Sequence, residues 1–270
     1  PLAAGSQEGR ELAAAGFERV QLLIHGSNHI SIDTRIKSGL FAIIGDFKMK
    51  PLPATTAGSS IIQRSILMSL QHAVIIGGSS GIGLASAKLL LEQGFQVTIA
   101  ARDEAKLKAA ADHLSGEVGT VAIDARNTTS VKQAFESLGS FDHLVLALGS
   151  GHGAGPFATL DMADLLAGFQ TKLIPHAAAA QVALPFLRPA GSITFVSAVS
   201  AQAAMPGTAG LAAINAGIEA MVRVPAAELK PLRVNGVSPG VIDTPWWDFL
   251  PAEQRQAVFR DFAARTPVGD

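Results

Sequence analysis

Two residue types are missing from this 270-residue chain: there is no cysteine and no tyrosine. Without cysteine there can be no disulfide, thiolate–zinc site or cysteine nucleophile, and a reducing compartment is permitted, so a cytoplasmic location is expected. Without tyrosine, no phenol can act as an acid or base. Charge is scarce too. Only 16% of residues are Asp, Glu, Lys or Arg, and the net charge is −1. That leaves no electrostatic footprint for nucleic acid or an acidic membrane surface. No apolar run approaches the roughly 20 residues needed to span a bilayer. Hydrophobic residues, by contrast, make up 48% of the chain, which predicts a substantial buried core. The length suits one large α/β domain, or one domain plus an extension. The sequence opens on Pro1 and not Met, so a fragment or processed form is expected.

Residues 1–67 show little organisation. Short apolar runs (Leu22–Ile24, Phe41–Ile44) alternate with loop material such as Gly26-Ser27-Asn28, Pro51-Leu52-Pro53 and the stretch 55–60. His25 and His29 stand four apart, but no third ligand follows at a useful spacing, so no metal site is expected. These residues read as an N-terminal extension that need not belong to the natural product. The folded domain is expected over residues 68–270.

Residues 72–84 organise the rest. The β-branched run Val74-Ile75-Ile76 stops at Gly77, a Gly/Ser turn follows, and Leu84 to Gln93 has helical spacing. Strand, glycine turn and helix in that order aim backbone N–H groups and a helix N-terminus at a phosphate. Strand and helix patterns then alternate. Strands are expected at 95–101, 118–123, 144–148, 192–196 and 232–237, and helices at 104–114, 130–138, 162–187 and 211–229. Such alternation predicts an α/β fold of the Rossmann type, a doubly wound parallel sheet with helices on both faces. Ligands in this architecture sit beyond the C-terminal strand ends. At the second strand's end, where an acid would grip the ribose of NAD, stand Ala101 and Arg102, and the nearest acid, Asp103, has the place of a helix N-cap. Arginine there can pair with a 2′-phosphate, so NADP(H) is expected over NAD(H).

Residues 72–245 resemble the short-chain dehydrogenase/reductase family. Ile76-Gly77-Gly78-Ser79-Ser80-Gly81-Ile82-Gly83 matches its Thr-Gly-x-x-x-Gly-x-Gly, with Ile76 in place of threonine. Asp124-Ala125 falls where the family places the aspartate that contacts adenine, and Gly149 ends the stretch matching its Asn-Asn-Ala-Gly. Arg233 to Thr244 is close to Arg-Val-Asn-x-Val-x-Pro-Gly-x-x-x-Thr. The resemblance implies cofactor contacts from Gly77, Ser79, Ser80, Gly81, Ile82, Gly83, Arg102, Asp124, Ala125, Gly149, Pro239, Gly240, Ile242 and Thr244. It also implies hydride transfer between nicotinamide and a carbonyl or alcohol.

The family's catalytic serine, tyrosine, lysine and asparagine are not carried over. Alignment on the same pattern places Ala198, Leu211, Asn215 and Lys172 at those four positions. A positioned acid contributes about 10²–10⁴ in rate, so its loss need not abolish hydride transfer. Three substitutes are candidates. Lys172 could protonate or polarise the substrate oxygen, or instead tie strand carbonyls and ribose hydroxyls together. His152, in the glycine-rich loop after the fourth strand, could donate to substrate. Ser197 could replace the lost serine, although neighbours on a strand face opposite ways. Trp246 and Trp247 suit a lid over an apolar or aromatic small-molecule substrate. A non-catalytic dinucleotide-binding protein is the alternative reading. The family's final strand is expected to be missing after Thr266-Pro267-Val268-Gly269-Asp270, leaving the sixth strand as an edge, and small-residue helices permit a homodimer or homotetramer. Pro225 predicts a kink or early end to its helix.

Overall fold

A computed structural model describes residues 71–265. The expected extension, residues 1–67, lies outside that range, as do its His25 and His29. Six strands form one parallel sheet: β1 (His72–Ile76), β2 (Gln96–Ala101), β3 (Val118–Ala122), β4 (Phe141–Leu146), β5 (Leu187–Val196) and β6 (Arg233–Val237). Their order is β3-β2-β1-β4-β5-β6, so the chain reverses its winding between β1 and β4. This is the α/β Rossmann-type sheet expected from the alternating pattern. Among the described residues, β6 is an edge and no seventh strand follows it.

Crossover helices cover both faces. They are α1 (Gly81–Glu92), α2 (Glu104–Asp112), α3 (Thr128–Leu138), α4 (Met162–Gly168), α5 (Ile174–Ala183) and α6 (Ala209–Glu228), with α7 (Ala252–Arg265) following β6. The two-residue period of β1 shows why two layers are needed. Ala73 and Ile75 face a core shared with Leu90, Leu107 and Ala110 of α1 and α2. Val74 and Ile76 face a second core with Val131, Phe135, Ala179, Ile218 and Val222 of α3, α5 and α6. Val74, Ile75 and Ile76 are completely buried. Burial of such side chains contributes about 1.5–3 kcal/mol each.

Several boundaries differ from the expected pattern, among them β4, which spans Phe141–Leu146 against an expected 144–148. β5 begins at Leu187, ahead of the regular run at Ser192, because β4 residues Phe141 and His143 pair with Leu187 and Ser192 across an irregularity. Gly191 sits in that bulge, where a Cβ would collide with the Asp142 carbonyl oxygen. The expected long helix 162–187 is broken by a π-helical turn, Phe169–Leu173, between α4 and α5. Helix α6 does not stop at Pro225 but continues to Glu228. The proline is close enough to the C-terminus that the missing N–H costs one hydrogen bond in the last turns.

Candidate functional site

The cleft forms at the C-terminal ends of β1 and β4, where the winding reverses. Gly77 has φ +88°, and a Cβ there would collide with the Ala147 carbonyl oxygen. Gly83 is held as closely, since a Cβ on it would run into the Gly77 carbonyl oxygen. Gly81, with φ +53°, leaves room for Thr244, whose side chain would stand 3.4 Å from a Cβ. The turn at Gly77–Gly83 and the loop Pro239–Thr244 thus close on one another, although they are far apart in the chain. Pro239 is itself fixed by accepting the Val199 N–H at 2.8 Å.

The start of α1 differs from its neighbours. Asp103, Asn127 and Asp161 cap α2, α3 and α4 by accepting backbone N–H groups. Ser80, the N-cap of α1, makes no such bond, and no acid stands in the first turn of that helix. The amides and positive dipole end of α1 therefore face the cleft without an internal anion. Ser79 is half-buried, Ile82 is half-buried and Ser80 is exposed. A pyrophosphate fits this place on backbone grounds, through the close glycine contacts and the uncapped helix.

Beyond β2 and β3, Arg102 follows β2 and is exposed, while Asp103 caps α2 through the Lys106 N–H at 3.0 Å. Asp124 follows β3, and Ala125 is buried. The Arg126 guanidinium grips both Asp124 oxygens, Nε at 2.9 Å and Nη2 at 2.7 Å. These bonds hold the Asp124 carboxyl down at about 2, with the nearby Arg102 charge a smaller contributor.

Near the end of β5, Lys172 enters from the π-helical turn. It is 9% exposed. Its Nζ donates to Asn215 Oδ1 at 2.7 Å and reaches the Ser197 carbonyl at 3.5 Å. Asn215 in turn donates to the Ser200 hydroxyl at 3.0 Å and to the Leu211 carbonyl at 2.9 Å. No carboxylate pairs with Lys172 among the described residues, and burial lowers its pKa to about 8. Such a group carries a labile proton at neutral pH. Two residues that the alignment found at exchanged positions are thus in direct contact.

His152 is placed differently. Its Nδ1 lies 2.6 Å from Asp164 of α4, which also accepts the Gly153 N–H at 2.6 Å. The loop packs on the start of α6, where a Cβ on Gly210 would collide with the Gly153 carbonyl oxygen. His152 therefore sits on an anchored loop, with about half its side chain exposed. The sequence did not single out Asp164.

The Ser197 hydroxyl has partners within the protein. β5 has ended at Val196, and the Ser197 hydroxyl is buried within reach of Ser238 (2.7 Å), Glu219 (3.0 Å) and the Val237 carbonyl (3.2 Å). Glu219 also binds the Ser238 hydroxyl and accepts from Gln202. The hydroxyl joins the end of β6 to α6. Neighbouring Ala198 has no hydroxyl to offer.

Trp246 donates to the Ser150 carbonyl at 3.2 Å and lies beside Gly149. Its ring meets Trp247 edge-on at 4.7 Å and Phe249 at 5.2 Å. This aromatic group stands against the loop that follows β4. No group of three or more metal-binding side chains is present among the described residues.

The sheet and its glycine cradle define a dinucleotide-binding α/β protein. A family model described as enoyl-(acyl carrier protein) reductase matches residues 77–270. A cis-4-hydroxycyclohexanecarboxylate dehydrogenase from Sinomonas cyclohexanicum is 32% identical over 207 residues, covering 73% of this chain and 82% of the relative. A 3-oxoacyl-[acyl-carrier-protein] reductase from Thermotoga maritima is 30% identical, with 73% and 82% covered. A crystal structure of a small-chain dehydrogenase in complex with NADPH superposes with a TM-score of 0.64 at 30% identity, covering 75% of this chain and 84% of the other. The chain belongs to the short-chain dehydrogenase/reductase family, whose members are oxidoreductases that bind a nicotinamide dinucleotide and act on small molecules.

Proposed function

We propose that this protein is an NADP(H)-dependent oxidoreductase acting between a carbonyl and the corresponding alcohol, through an atypical site. The observation that carries the reading is the buried Lys172, with a pKa near 8, at the end of a cleft built for a dinucleotide. The nicotinamide, when bound, supplies or takes up the hydride. Gly77, Ser79, Ser80, Gly81, Ile82 and Gly83 hold the pyrophosphate through backbone amides and the α1 dipole. Arg102 meets the 2′-phosphate, and Asp124 with Ala125 borders the adenine. Gly149, Pro239, Gly240, Ile242 and Thr244 border the nicotinamide half.

Lys172 exchanges the proton that the substrate oxygen gains or loses, and Asn215 holds its Nζ in place. His152, oriented by Asp164, binds the substrate at the mouth. Trp246, Trp247 and Phe249 favour an apolar, ring-bearing substrate by stacking and by excluding water. The named activity of the Sinomonas cyclohexanicum relative, on a cyclohexane alcohol, agrees with such a surface. A homodimer or homotetramer in the cytoplasm, with residues 68–270 as the working domain and 1–67 as an extension, completes the reading.

Titration with NADPH and NADH, followed by turnover on a panel of cyclic and aromatic ketones, tests it. Saturable NADPH binding with ketone-dependent oxidation is the expected result, and absence of binding by the folded protein would overturn it. A second reading, a dinucleotide-binding protein without turnover, is favoured by Leu211 at the acid's position and by the buried Ser197 hydroxyl. Tight NADPH binding with no oxidation of any ketone would select that reading.

A further inference from the structure

The ends of β2 and β3 are neighbours, because Ala101 pairs with Ala122 and the Ile123 N–H donates to the Ala101 carbonyl at 2.9 Å. Arg102 and Asp124 therefore emerge side by side. An unpaired carboxylate in this place would repel a phosphate on the adenosine ribose and largely cancel the attraction of Arg102. The structure pairs it. Arg126 stands two residues on, holds both Asp124 oxygens through its guanidinium, and adds its own backbone N–H to Oδ1 at 3.1 Å. Asp103 is occupied in capping α2. Arg126 thus offsets the Asp124 charge, as the α2 amides partly offset that of Asp103, and Arg102 faces the cleft without an uncompensated acid beside it; half of the Arg126 side chain remains exposed.

We infer that Arg126 is a cofactor-discriminating residue: by neutralising Asp124 it lets the Arg102 corner accept a nucleotide bearing a 2′-phosphate. The inference rests on the cofactor reading above and assigns the selectivity to a residue outside the glycine turn and outside the end of β2. Its bidentate geometry is specific to arginine, since a lysine can neutralise the acid only as a point charge.

The test measures binding, not turnover, with the full chain. NADPH and NADH are titrated by their own fluorescence, and adenosine 2′,5′-bisphosphate and ADP by calorimetry, into the parent, Arg126→Gln, Arg102→Gln and Asp124→Asn/Arg126→Gln. Circular dichroism checks that each folds. Arg126→Gln is expected to weaken NADPH and the bisphosphate about tenfold at low salt, and to leave NADH and ADP within about twofold. The double variant, lacking the carboxylate, is expected to regain most of the lost NADPH affinity. Equal loss for both nucleotides, no loss for either, or no recovery in the double variant would overturn the assignment. A parent that binds neither nucleotide, or does not prefer NADPH, instead overturns the cofactor reading itself. If Arg126→Gln does not fold, Asp124→Asn alone carries the test: the NADPH-to-NADH preference must rise, and an unchanged preference defeats the inference.

Discussion

A lysine buried without a counter-ion must lose in stability what it offers in chemistry. Lys172 titrates near 8 in the fold and near 10.5 when unfolded. Below pH 8 the ammonium is charged in both states and the folded form bears the full desolvation cost. Between 8 and 10.5 the unfolded chain binds more protons, so stability rises with pH. The gain from pH 7 to 9.5 is on the order of 2 kcal/mol. Lys172→Met removes the titration, so its stability should stay flat over that range while the parent's rises. Urea denaturation at the two pH values measures the difference, and parallel curves would show that Lys172 is not perturbed. In turnover, the parent should show an ionisation near 8 that the variant lacks. The site was partly legible at this scale. The sequence placed Lys172 and Asn215 at exchanged positions, but their contact spans 43 residues of chain and no local pattern signals it. Asp164 and Arg126 were missed for opposite reasons. Asp164 looks like an ordinary first-turn acid of a helix, and only the fold of loop 149–153 brings His152 to it. Arg126 did carry a local signal, an acid two residues before an arginine at a strand's end.

Elements are positioned here by backbone contacts that a single methyl would break. Gly83 of α1 lies against the Gly77 carbonyl, and neither partner is a flexible side chain. Gly83→Ala must push α1 away from the turn, at a cost of about 1–3 kcal/mol by analogy with overpacked cores. Cofactor affinity should fall by more than about tenfold, since the α1 amides would no longer converge with the turn. A thermal melt and an NADPH titration read the two effects, and unchanged affinity would remove α1 from the site. Gly210→Ala makes a contrasting case. It would displace the loop bearing His152 at the Gly153 carbonyl, so substrate KM should rise while NADPH affinity stays within about twofold. Strand and helix identities were readable because apolar periodicity survives in most segments. The boundaries that were not readable share a cause. The bulge at Gly191 and the π-helical turn under Lys172 are answers to contacts with β4 and α6, and periodicity within one segment does not encode its neighbours.

For the whole molecule, acid is the condition that separates folding from binding. Burial drives the pKa of His143 and of His176 down to about 4, and lowers that of His72 as well. His176 is fully enclosed, with carbonyls of Lys172 and Leu146 at its two ring nitrogens. A neutral ring donates to only one of them. Desolvation and the Lys172 charge nonetheless outweigh the carbonyls and keep the ring neutral. Each of these histidines binds a proton more readily when unfolded. Their contribution to stability is therefore complete above about pH 6.5, falls as the pH drops toward 4, and levels off below that. The two strongly shifted rings together account for several kcal/mol, a large part of the roughly 5–15 kcal/mol typical of a domain. Asp124, held near 2 by Arg126, keeps its charge throughout this window. The cofactor corner therefore stays intact while the core loosens, and the affinity of the folded fraction for NAD, whose pyrophosphate does not titrate in this range, should be constant from pH 7 to 5 even as the urea midpoint falls. His143→Gln, which can still bond the Ser192 hydroxyl that His143 Nδ1 contacts at 2.9 Å, should flatten the stability curve by a sizeable fraction without moving NADPH affinity at pH 7. A urea midpoint independent of pH between 7 and 4.5 would show that these rings are protonated in the native state, and an affinity that falls in step with it would place the sensitive group in the cleft.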